Sequence, residues 1–284
     1  MLFRMATAMQ ELTTAGPGPA IAYTDTGGPG QPVVFVHGVG SSSATWRELF
    51  AAMPPGYRLI AADLRGHGRS EPVPGPGRLA DFVADHLRLL DELGLDAVPV
   101  VGFSLGALIG QAIALAQPGR TSALVLLNGV GARTQAERDR ALARLEVIRT
   151  SPPAEVARAS ATRWFTDSFA AGAPGLVADE VAIVSSVNPA SYAAAYEVLA
   201  TGDLIAEVGA ISCPVLVVTG EGDVGSTPRM SAEIHARIAG SQLVIVPAMK
   251  HYLHREAPGM IAGLISEFLA GSGAPARGPA GGLR

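Results

Sequence analysis

The stretch Ala97-Val98-Pro99-Val100-Val101-Gly102-Phe103-Ser104-Leu105-Gly106 joins an apolar run to a helical pattern that continues over residues 107–116. The apolar run predicts a buried strand, and the segment after it predicts a helix. The small residues two positions on either side of Ser104 permit a sharp turn that exposes the hydroxyl at the carboxyl edge of a sheet. The pentapeptide at 102–106 is a weak signal alone, and its place between strand and helix makes Ser104 a candidate nucleophile.

Composition and charge exclude several classes of function. The chain has 284 residues, 48% of them hydrophobic, which is enough to bury a large core. Its formal net charge is −4 and Lys250 is its only lysine, so no basic field is available for nucleic acid. The single cysteine, Cys213, cannot form an intrachain disulfide, which favours the cytoplasm. The sequence leaves open whether the chain forms a homo-oligomer.

The N-terminal residues and the apolar runs also argue against a membrane protein. No apolar stretch approaches the roughly 20 residues that span a bilayer. Residues 1–9 lack the basic region followed by a long apolar region that marks a signal peptide. We therefore expect a cytoplasmic protein without a membrane partner.

Short β-branched runs alternate with helical patterns along the chain. The runs lie at residues 32–36, 57–62, 98–101, 123–127, 215–218 and 243–246. They are almost continuously apolar, as are strands that are buried on both faces of a sheet. Apolar residues at three- and four-residue spacing between residues 79 and 93 predict a helix with one buried face. This alternation predicts an α/β fold with a doubly wound, mostly parallel sheet.

The alternation is interrupted between residues 132 and 208, where Ala-rich helical patterns occur without a strand pattern. We interpret residues 132–208 as a helical cap inserted between two parts of the core, 1–131 and 209–270. Residues 271–284 have the composition of a disordered tail. The cap contains aromatic residues that are expected to pack internally and, as a group, to form an apolar roof over a site: Trp164, Phe165, Phe169, Tyr192 and Tyr196.

Four loops that follow predicted strands carry reactive side chains: 37–43, 63–70, 220–228 and 247–256. In an open α/β sheet, functional groups gather in such loops at the carboxyl ends of strands. A serine nucleophile needs a base, usually histidine, which in turn needs a carboxylate to fix its tautomer. Ser104, Asp223 and His251 occur in that order, each at the end of a predicted strand. They are the candidate catalytic residues.

Other acids and histidines compete with this assignment. Glu221 is the nearest alternative to Asp223, and Asp203 is the next. The other histidines lie in glycine-rich loops, in helical patterns or just past His251, where structural roles are expected: His37, His67, His86, His235 and His254.

Metal and nucleotide cofactors are not indicated. The sequence contains no H-E-x-x-H, no paired cysteines and no acidic cluster with the spacing of metal ligands. Gly38-Val39-Gly40 is only superficially like a dinucleotide turn, because no G-x-G-x-x-G opens a helix after a strand. We therefore predict neither a metal nor a cofactor.

Four motifs in order resemble those of the α/β-hydrolase superfamily over about residues 20–270. They are His37-Gly38 with Trp46, the segment 63–70, the pentapeptide 102–106, and Asp223 followed by His251 with Glu256-Ala257-Pro258. The resemblance implies that Ser104 is the nucleophile, His251 the base and Asp223 its orienting acid. It also implies that the backbone N–H groups of Val39 and Leu105 form the oxyanion hole.

Within the superfamily, Arg163-Trp164-Phe165-Thr166 and the segment 191–204 resemble the cap of 3-oxoadipate enol-lactonases. This resemblance implies a hydrolase that cleaves a small ester or lactone through an acyl-enzyme on Ser104, with Trp164 lining the cavity above it. Three alternatives stay open: a C–C bond hydrolase of a ring-cleavage product, a ligand-binding receptor on the same scaffold, and a cofactor-free dioxygenase or haloperoxidase-like side activity. Lys250, next to His251, either tunes the site for an anionic substrate or points to solvent.

Overall fold

The predicted strand runs lie together in one eight-stranded sheet with the order β1-β2-β4-β3-β5-β6-β7-β8. The computed structural model of the chain describes residues 9–72, 75 and 77–273. All pairs from β4 through β8 are parallel, whereas β1 and β2 are antiparallel to their neighbours. The prediction of a mostly parallel, doubly wound sheet is therefore confirmed. The strands are β1 Gln10–Thr13, β2 Ala22–Asp25, β3 Gln31–Val36, β4 Tyr57–Ala62, β5 Val98–Phe103, β6 Thr121–Leu127, β7 Val215–Gly220 and β8 Gln242–Val246.

The two ends of the sheet differ from the sequence expectation. Strands β1 and β2 have four residues each and were not predicted. Every residue of β1 is exposed, and β2, although buried, mixes polar and apolar residues, so neither carries an apolar run. The expectation that each run is buried on both faces is wrong for β8, where Ile245 is 42% exposed. Strand β8 pairs with β7 alone and forms the edge of the sheet.

Eleven α-helices and three short 3-10 helices connect the strands in the part of the chain that the structure describes. The prediction of a helix between residues 79 and 93 is confirmed by α2. No described helix is long and apolar enough to cross a membrane. The α-helices are α1 Arg47–Ala52, α2 Leu79–Glu92, α3 Leu105–Ala116, α4 Gln135–Thr150, α5 Pro153–Trp164, α6 Asp167–Gly172, α7 Pro174–Ser185, α8 Pro189–Thr201, α9 Pro228–Arg237, α10 Leu253–Glu256 and α11 Pro258–Gly271, and the 3-10 helices are Ser43–Trp46, Pro118–Arg120 and Val208–Ala210.

Alternate strand residues pack into two apolar clusters on opposite faces of the sheet, because side chains of a strand point to alternate sides. Val34 and Val36 of β3 belong to the cluster that contains α2, α3 and α9. Val33 and Phe35 belong to the cluster that contains α1 and α11. Helices therefore cover both faces, which explains the continuous apolar runs of the central strands.

Helices α4–α8 lie between β6 and β7, and residues 135–201, all of which are described, contain no strand. Helix α4 packs against α8, α5 packs against α7, and α8 contacts α3 of the core. The predicted boundaries at 132 and 208 lie a few residues outside these helices. At the C-terminus, α11 extends to Gly271, and residues 274–284 of the predicted tail lie outside the described residues.

A buried cluster of charged residues joins the cap to the core. Arg255 of α10 is 2% exposed and contacts the carboxylate of Glu48 in α1. Glu180 of α7 is fully buried, with its Oε2 3.7 Å from Arg255 Nε, and it accepts hydrogen bonds from Ser41 Oγ at 2.6 Å and Thr45 Oγ1 at 3.2 Å. Burial raises the pKa of Glu180. These polar contacts fix α7 above the first loop of the site.

We expect Arg255→Met to lower the free energy of unfolding by about 3 to 5 kcal/mol, because removing one partner leaves a buried carboxylate without its cation. Urea unfolding at neutral pH measures this loss. The control is Arg149→Met, which removes two exposed ion pairs, with Glu146 and with Glu197, and should leave the unfolding curve nearly unchanged. Equal curves for the two variants would show that the buried cluster does not stabilise the fold.

Candidate active site

Ser104 lies on a sharp turn between β5 and α3, with φ 55° and ψ −113°. This conformation is strained for a residue with a side chain, and two glycines make it sterically accessible. A Cβ at Gly102 would lie 2.2 Å from the Gly106 carbonyl oxygen, and one at Gly106 would lie 2.0 Å from the Val36 carbonyl oxygen. The N–H of Ser104 donates to the Leu127 carbonyl at 2.9 Å, which fixes the turn on the sheet.

Asp223 and His251 form a hydrogen-bonded pair at the carboxyl edge of the same sheet. His251 Nδ1 donates to Asp223 Oδ2 at 2.6 Å. The N–H groups of Gly225 and Ser226 donate to Asp223 Oδ1 at 2.8 and 3.0 Å, and Asn128 Nδ2 donates to Oδ2 at 2.7 Å. Burial opposes ionisation of Asp223, but His251 and these donors outweigh it and hold the pKa of Asp223 below its ordinary value. An ionised Asp223 fixes the His251 tautomer that leaves Nε2 able to accept a proton.

Asn128 is a site residue that the sequence analysis missed. It follows β6 directly and has φ 49°, and its N–H donates to the Val218 carbonyl at 2.8 Å. This conformation points the amide at Asp223, where it supports the carboxylate. Its position at the carboxyl end of a predicted strand, like that of Ser104, was the signal that could have identified it.

The alternative acids have other partners. Glu221 Oε2 accepts a hydrogen bond from the N–H of Ala248 at 3.1 Å. Asp203 accepts from the N–H groups of Ala132 and Arg133 at 3.1 and 3.2 Å, at the start of the cap. Both carboxylates therefore order backbone, whereas Asp223 is the one that contacts His251.

The histidines outside the pair are bound to backbone or core groups. His37 Nε2 accepts from the N–H of Leu64 at 2.9 Å, so Nδ1 donates to the Gly38 carbonyl at 2.7 Å. Burial lowers the pKa of His37 to about 3, and the ring stays neutral. His254 is fully buried, with Nε2 2.9 Å from Thr45 Oγ1. Among residues 9–72, 75 and 77–273, no group of three or more His, Cys, Asp or Glu could hold a metal ion.

The two predicted oxyanion-hole residues belong to the turn that carries Ser104 and to the loop after β3. Leu105 is the first residue of α3, so its N–H has no acceptor within the helix and points along the positive end of the helix dipole. The loop after β3 comes close to the nucleophile, since a Cβ at Gly38 would lie 3.1 Å from Ser104 Cβ. Val39 follows in that loop and lines the same cavity as Ser104.

A cavity of about 350 Å³ opens over Ser104 and His251, between the core and the cap. Trp164, Tyr192 and Tyr196 line it from the cap side, as the prediction for Trp164 requires. A cavity of this size suits a small molecule with a few polar groups rather than a polymer.

Four arginines line the cavity, and within the described part of the chain none of them forms an ion pair: Arg133, Arg140, Arg144 and Arg163. Arg144 Nη2 donates to the Val156 carbonyl at 3.3 Å and contacts Ser160 Oγ, and Arg163 Nη2 donates to the same Ser160 Oγ at 3.4 Å. Burial, and then the charge of Arg163, lowers the pKa of Arg144. The lining thus carries four arginines against two carboxylates, Glu137, which pairs with Arg229, and Asp223, which is bound to His251.

These arginines are a second feature that the sequence analysis missed. Arg140 and Arg144 are four residues apart and therefore share one face of α4. That spacing was the available signal, but the sequence does not show that this face of α4 borders the cavity.

Lys250, which was considered for an anionic substrate, does not line the cavity. Its ammonium donates to the Thr162 carbonyl at 2.8 Å and pairs with Asp167 at 3.1 Å, so its side chain is held against the cap.

The chain belongs to the α/β-hydrolase family, because the family model for the alpha/beta hydrolase fold matches residues 31–258. The prediction of this superfamily and of an α/β-hydrolase enzyme is therefore confirmed.

Individual relatives extend the similarity beyond the fold. The chain is 29% identical over 239 residues to (E)-2-((N-methylformamido)methylene)succinate hydrolase of Acinetobacter baylyi, covering 81% of this chain and 87% of the relative. It is 30% identical over 240 residues to 3-oxoadipate enol-lactonase 2 of the same organism, covering 84% and 89%. The crystal structure of the enol-lactonase from Burkholderia xenovorans has a TM-score of 0.85 at 26% identity, covering 91% of this chain and 100% of that one. The resemblance to enol-lactonases is confirmed.

Proposed function

We propose that the chain is a serine hydrolase that cleaves a small ester or lactone through an acyl-enzyme on Ser104. The observation that carries this proposal is the placement of Ser104 on a strained turn in one cavity with His251, whose Nδ1 is bound to the ionised Asp223. A neutral histidine held in this tautomer is the base that a serine hydroxyl needs at neutral pH.

In the first half-reaction, Ser104 Oγ attacks the carbonyl carbon while its proton passes to His251 Nε2. The negative charge that develops on the carbonyl oxygen is stabilised by the N–H groups of Val39 and Leu105, and losing one such donor typically costs about 3 to 4 kcal/mol. When the tetrahedral intermediate collapses, the bond between the carbonyl carbon and the leaving oxygen breaks, and His251 donates its proton to that oxygen. Water then attacks the acyl carbon while its proton passes to His251 Nε2. The bond between the acyl carbon and Ser104 Oγ breaks, His251 returns the proton to Ser104 Oγ, and the carboxylic acid is released.

The charge of the cavity supports a substrate that carries a carboxylate. Four arginines line the space between core and cap, and Arg133, which is only 6% exposed, donates from Nη1 to the Gly202 carbonyl at 2.9 Å. Charged groups removed from water are stable only when they are paired, so an anion is the complementary ligand. An enol-lactone with a free carboxylate, as in the enol-lactonase relatives, fits both the charge and the volume.

We expect Arg144→Met to raise KM for a carboxylated ester by about 10- to 100-fold, because a hydrogen bond to a charged group contributes about 1.5 to 3 kcal/mol. KM for the uncharged analogue of the same ester should stay within about twofold. The matched control is Arg138→Met, since Arg138 lies on the same helix but outside the cavity lining. Equal effects on both esters would place the substrate carboxylate elsewhere.

The experiment that tests the proposed function is mass spectrometry of protein quenched during turnover of small activated esters and lactones. An acyl group on the tryptic peptide that contains Ser104 supports the acyl-enzyme. Two of the alternatives predict different results in the same assays. A ligand-binding receptor would bind the lactones without turnover, and a C–C bond hydrolase would turn over vinylogous ketones but neither esters nor lactones.

A further inference from the structure

The end of the cap helix α5 is hydrogen-bonded to the loop that carries His251. The N–H groups of His251 and Tyr252 both donate to the Trp164 carbonyl, each at 3.0 Å. Trp164 is the last residue of α5, so no N–H group of the helix donates to its carbonyl. The loop with His251 therefore caps this helix.

Lys250, one residue before His251, strengthens the same contact. Its Nζ donates to the Thr162 carbonyl at 2.8 Å, in the last turn of α5, and pairs with Asp167 Oδ1 at 3.1 Å, at the start of α6. A cation is favourable at the C-terminal end of a helix, where unpaired carbonyls carry partial negative charge. Lys250 thus bridges the two helices directly beside His251.

Glu256 completes the contact from the other end of the loop. Its carboxylate accepts from the N–H of Thr166 at 2.9 Å and from Thr166 Oγ1 at 2.5 Å. Thr166 is also the N-cap of α6, because its Oγ1 accepts from the N–H of Phe169. Residues 162–167, the α5–α6 junction, are therefore bound by Lys250, by Glu256 and by the backbone between them.

The opposite side of the loop is held by the segment after β7. The N–H of Gly222 donates to the Met249 carbonyl at 2.8 Å, and a Cβ at Gly220 would lie 2.2 Å from the Lys250 carbonyl oxygen. The backbone at 249–251 is thus enclosed between the sheet and the α5–α6 junction. Loss of the junction contacts would leave the His251 backbone supported from the sheet alone.

We propose that Lys250 and Glu256 are positioning residues, which hold the α5–α6 junction against the His251 loop and so keep the imidazole in register with Asp223. The role in turnover rests on the proposed function, in which His251 is the base. Lys250 acts through the backbone of the cap and does not attract the substrate, because its ammonium faces Thr162 and Asp167 rather than the cavity.

The first test compares kcat and KM of Lys250→Met on an uncharged ester. We expect kcat to fall by about 10- to 100-fold with KM within about twofold, since a displacement of about 1 Å in a catalytic group can reduce the rate by about 100-fold. Lys250→Arg should recover most of kcat, because a guanidinium can still donate to the Thr162 carbonyl. Arg237→Met, which breaks an exposed ion pair with Glu233, is the control that should leave kcat unchanged. A lower Tm with wild-type kcat in Lys250→Met would overturn the proposal.

Glu256→Ala provides a second, independent variant. It removes both acceptors of Thr166 and should lower kcat in the same way as Lys250→Met, on charged and uncharged esters alike. A selective loss on the carboxylated ester in Lys250→Met would instead mean that Lys250 binds substrate, which would contradict a positioning role.

Chemical modification uses the fact that Lys250 is the only lysine of the chain. An acetylating reagent can modify the amines of Lys250 and of the N-terminus in the wild type, and only the N-terminal amine in Lys250→Arg. We expect acetylation to lower kcat of the wild type and to leave Lys250→Arg unaffected. Wild-type protein that is fully acetylated at Lys250, as shown by mass spectrometry, and yet keeps its kcat would overturn the proposal.

A readout that needs no turnover separates this proposal from the proposed function. The His251 Nδ1 proton, which is bonded to Asp223, is followed by proton NMR and assigned with His251→Gln. We expect faster solvent exchange of this proton in Lys250→Met than in Arg237→Met. Faster exchange in a protein that hydrolyses no ester would contradict the proposed function and retain the positioning role, whereas unchanged exchange would refute the positioning role even in an active hydrolase.

Discussion

Ser104→Ala should lower kcat for ester hydrolysis by about 10⁶-fold, the scale of loss when the nucleophile of a serine hydrolase is removed. The change deletes a single oxygen, which forms no hydrogen bond within residues 9–72, 75 and 77–273, so the unfolding midpoint should stay close to that of the wild type. Steady-state turnover and urea unfolding of the same preparation measure both quantities. The acyl adduct that we expect in the wild type should be absent from this variant.

The matched control is Ser186→Ala, because Ser186 is exposed on the cap and its hydroxyl bonds only the Ile183 carbonyl. This variant should keep wild-type turnover and shows that serine replacement and purification do not reduce activity. If Ser104→Ala from a host without contaminating esterases kept near-wild-type turnover, the nucleophile would have to be another group.

Asp223→Asn should lower kcat by about 10⁴-fold, the loss known for a triad in which an amide replaces the carboxylate and favours the wrong histidine tautomer. The effect is smaller than that of Ser104→Ala because His251 remains present and Asn128 can still order the loop. Glu221→Gln is the control, since Glu221 binds the Ala248 N–H and not His251. We expect it to change kcat only mildly. A larger loss in Glu221→Gln than in Asp223→Asn would transfer the role of the acid to Glu221.

The central sheet and the candidate triad were predictable because their signals are local. The apolar runs of β3, β5, β6 and β7 reflect burial on both faces, and the glycines around Ser104 reflect the contacts of a single turn. Asp223 and His251 follow strands β7 and β8, whose ends meet at one edge of the sheet, so chain order was sufficient to bring them together.

Features that depend on tertiary packing were not predictable. The exposure of β8 depends on which strand lies at the edge, and the burial of the arginine face of α4 depends on how the cap sits on the core. Lys250 contacts the Thr162 carbonyl across 88 positions of sequence, and a lysine at that position carries no local sign of its partner. Asn128 differs from these features, because its place at the end of a strand is a local signal, although its contact with Asp223 is a tertiary one.

The insertion point of the cap has a consequence for how new substrate specificities can arise. The cap leaves the sheet after β6 and returns at β7, and these strands are neighbours, so its helices can be exchanged without altering the order of the strands. An exchanged cap leaves the turn that carries Ser104 unchanged, because this turn lies between β5 and α3 of the core. By the positioning proposal, the exchanged cap holds the loop that carries His251 in place only when the cap supplies a helix end at the position of Trp164. We therefore expect exchanged caps to tolerate more change at the cavity face of α4 than at the end of α5, and chimeras that retain residues 162–167 should keep the position of the loop that carries His251.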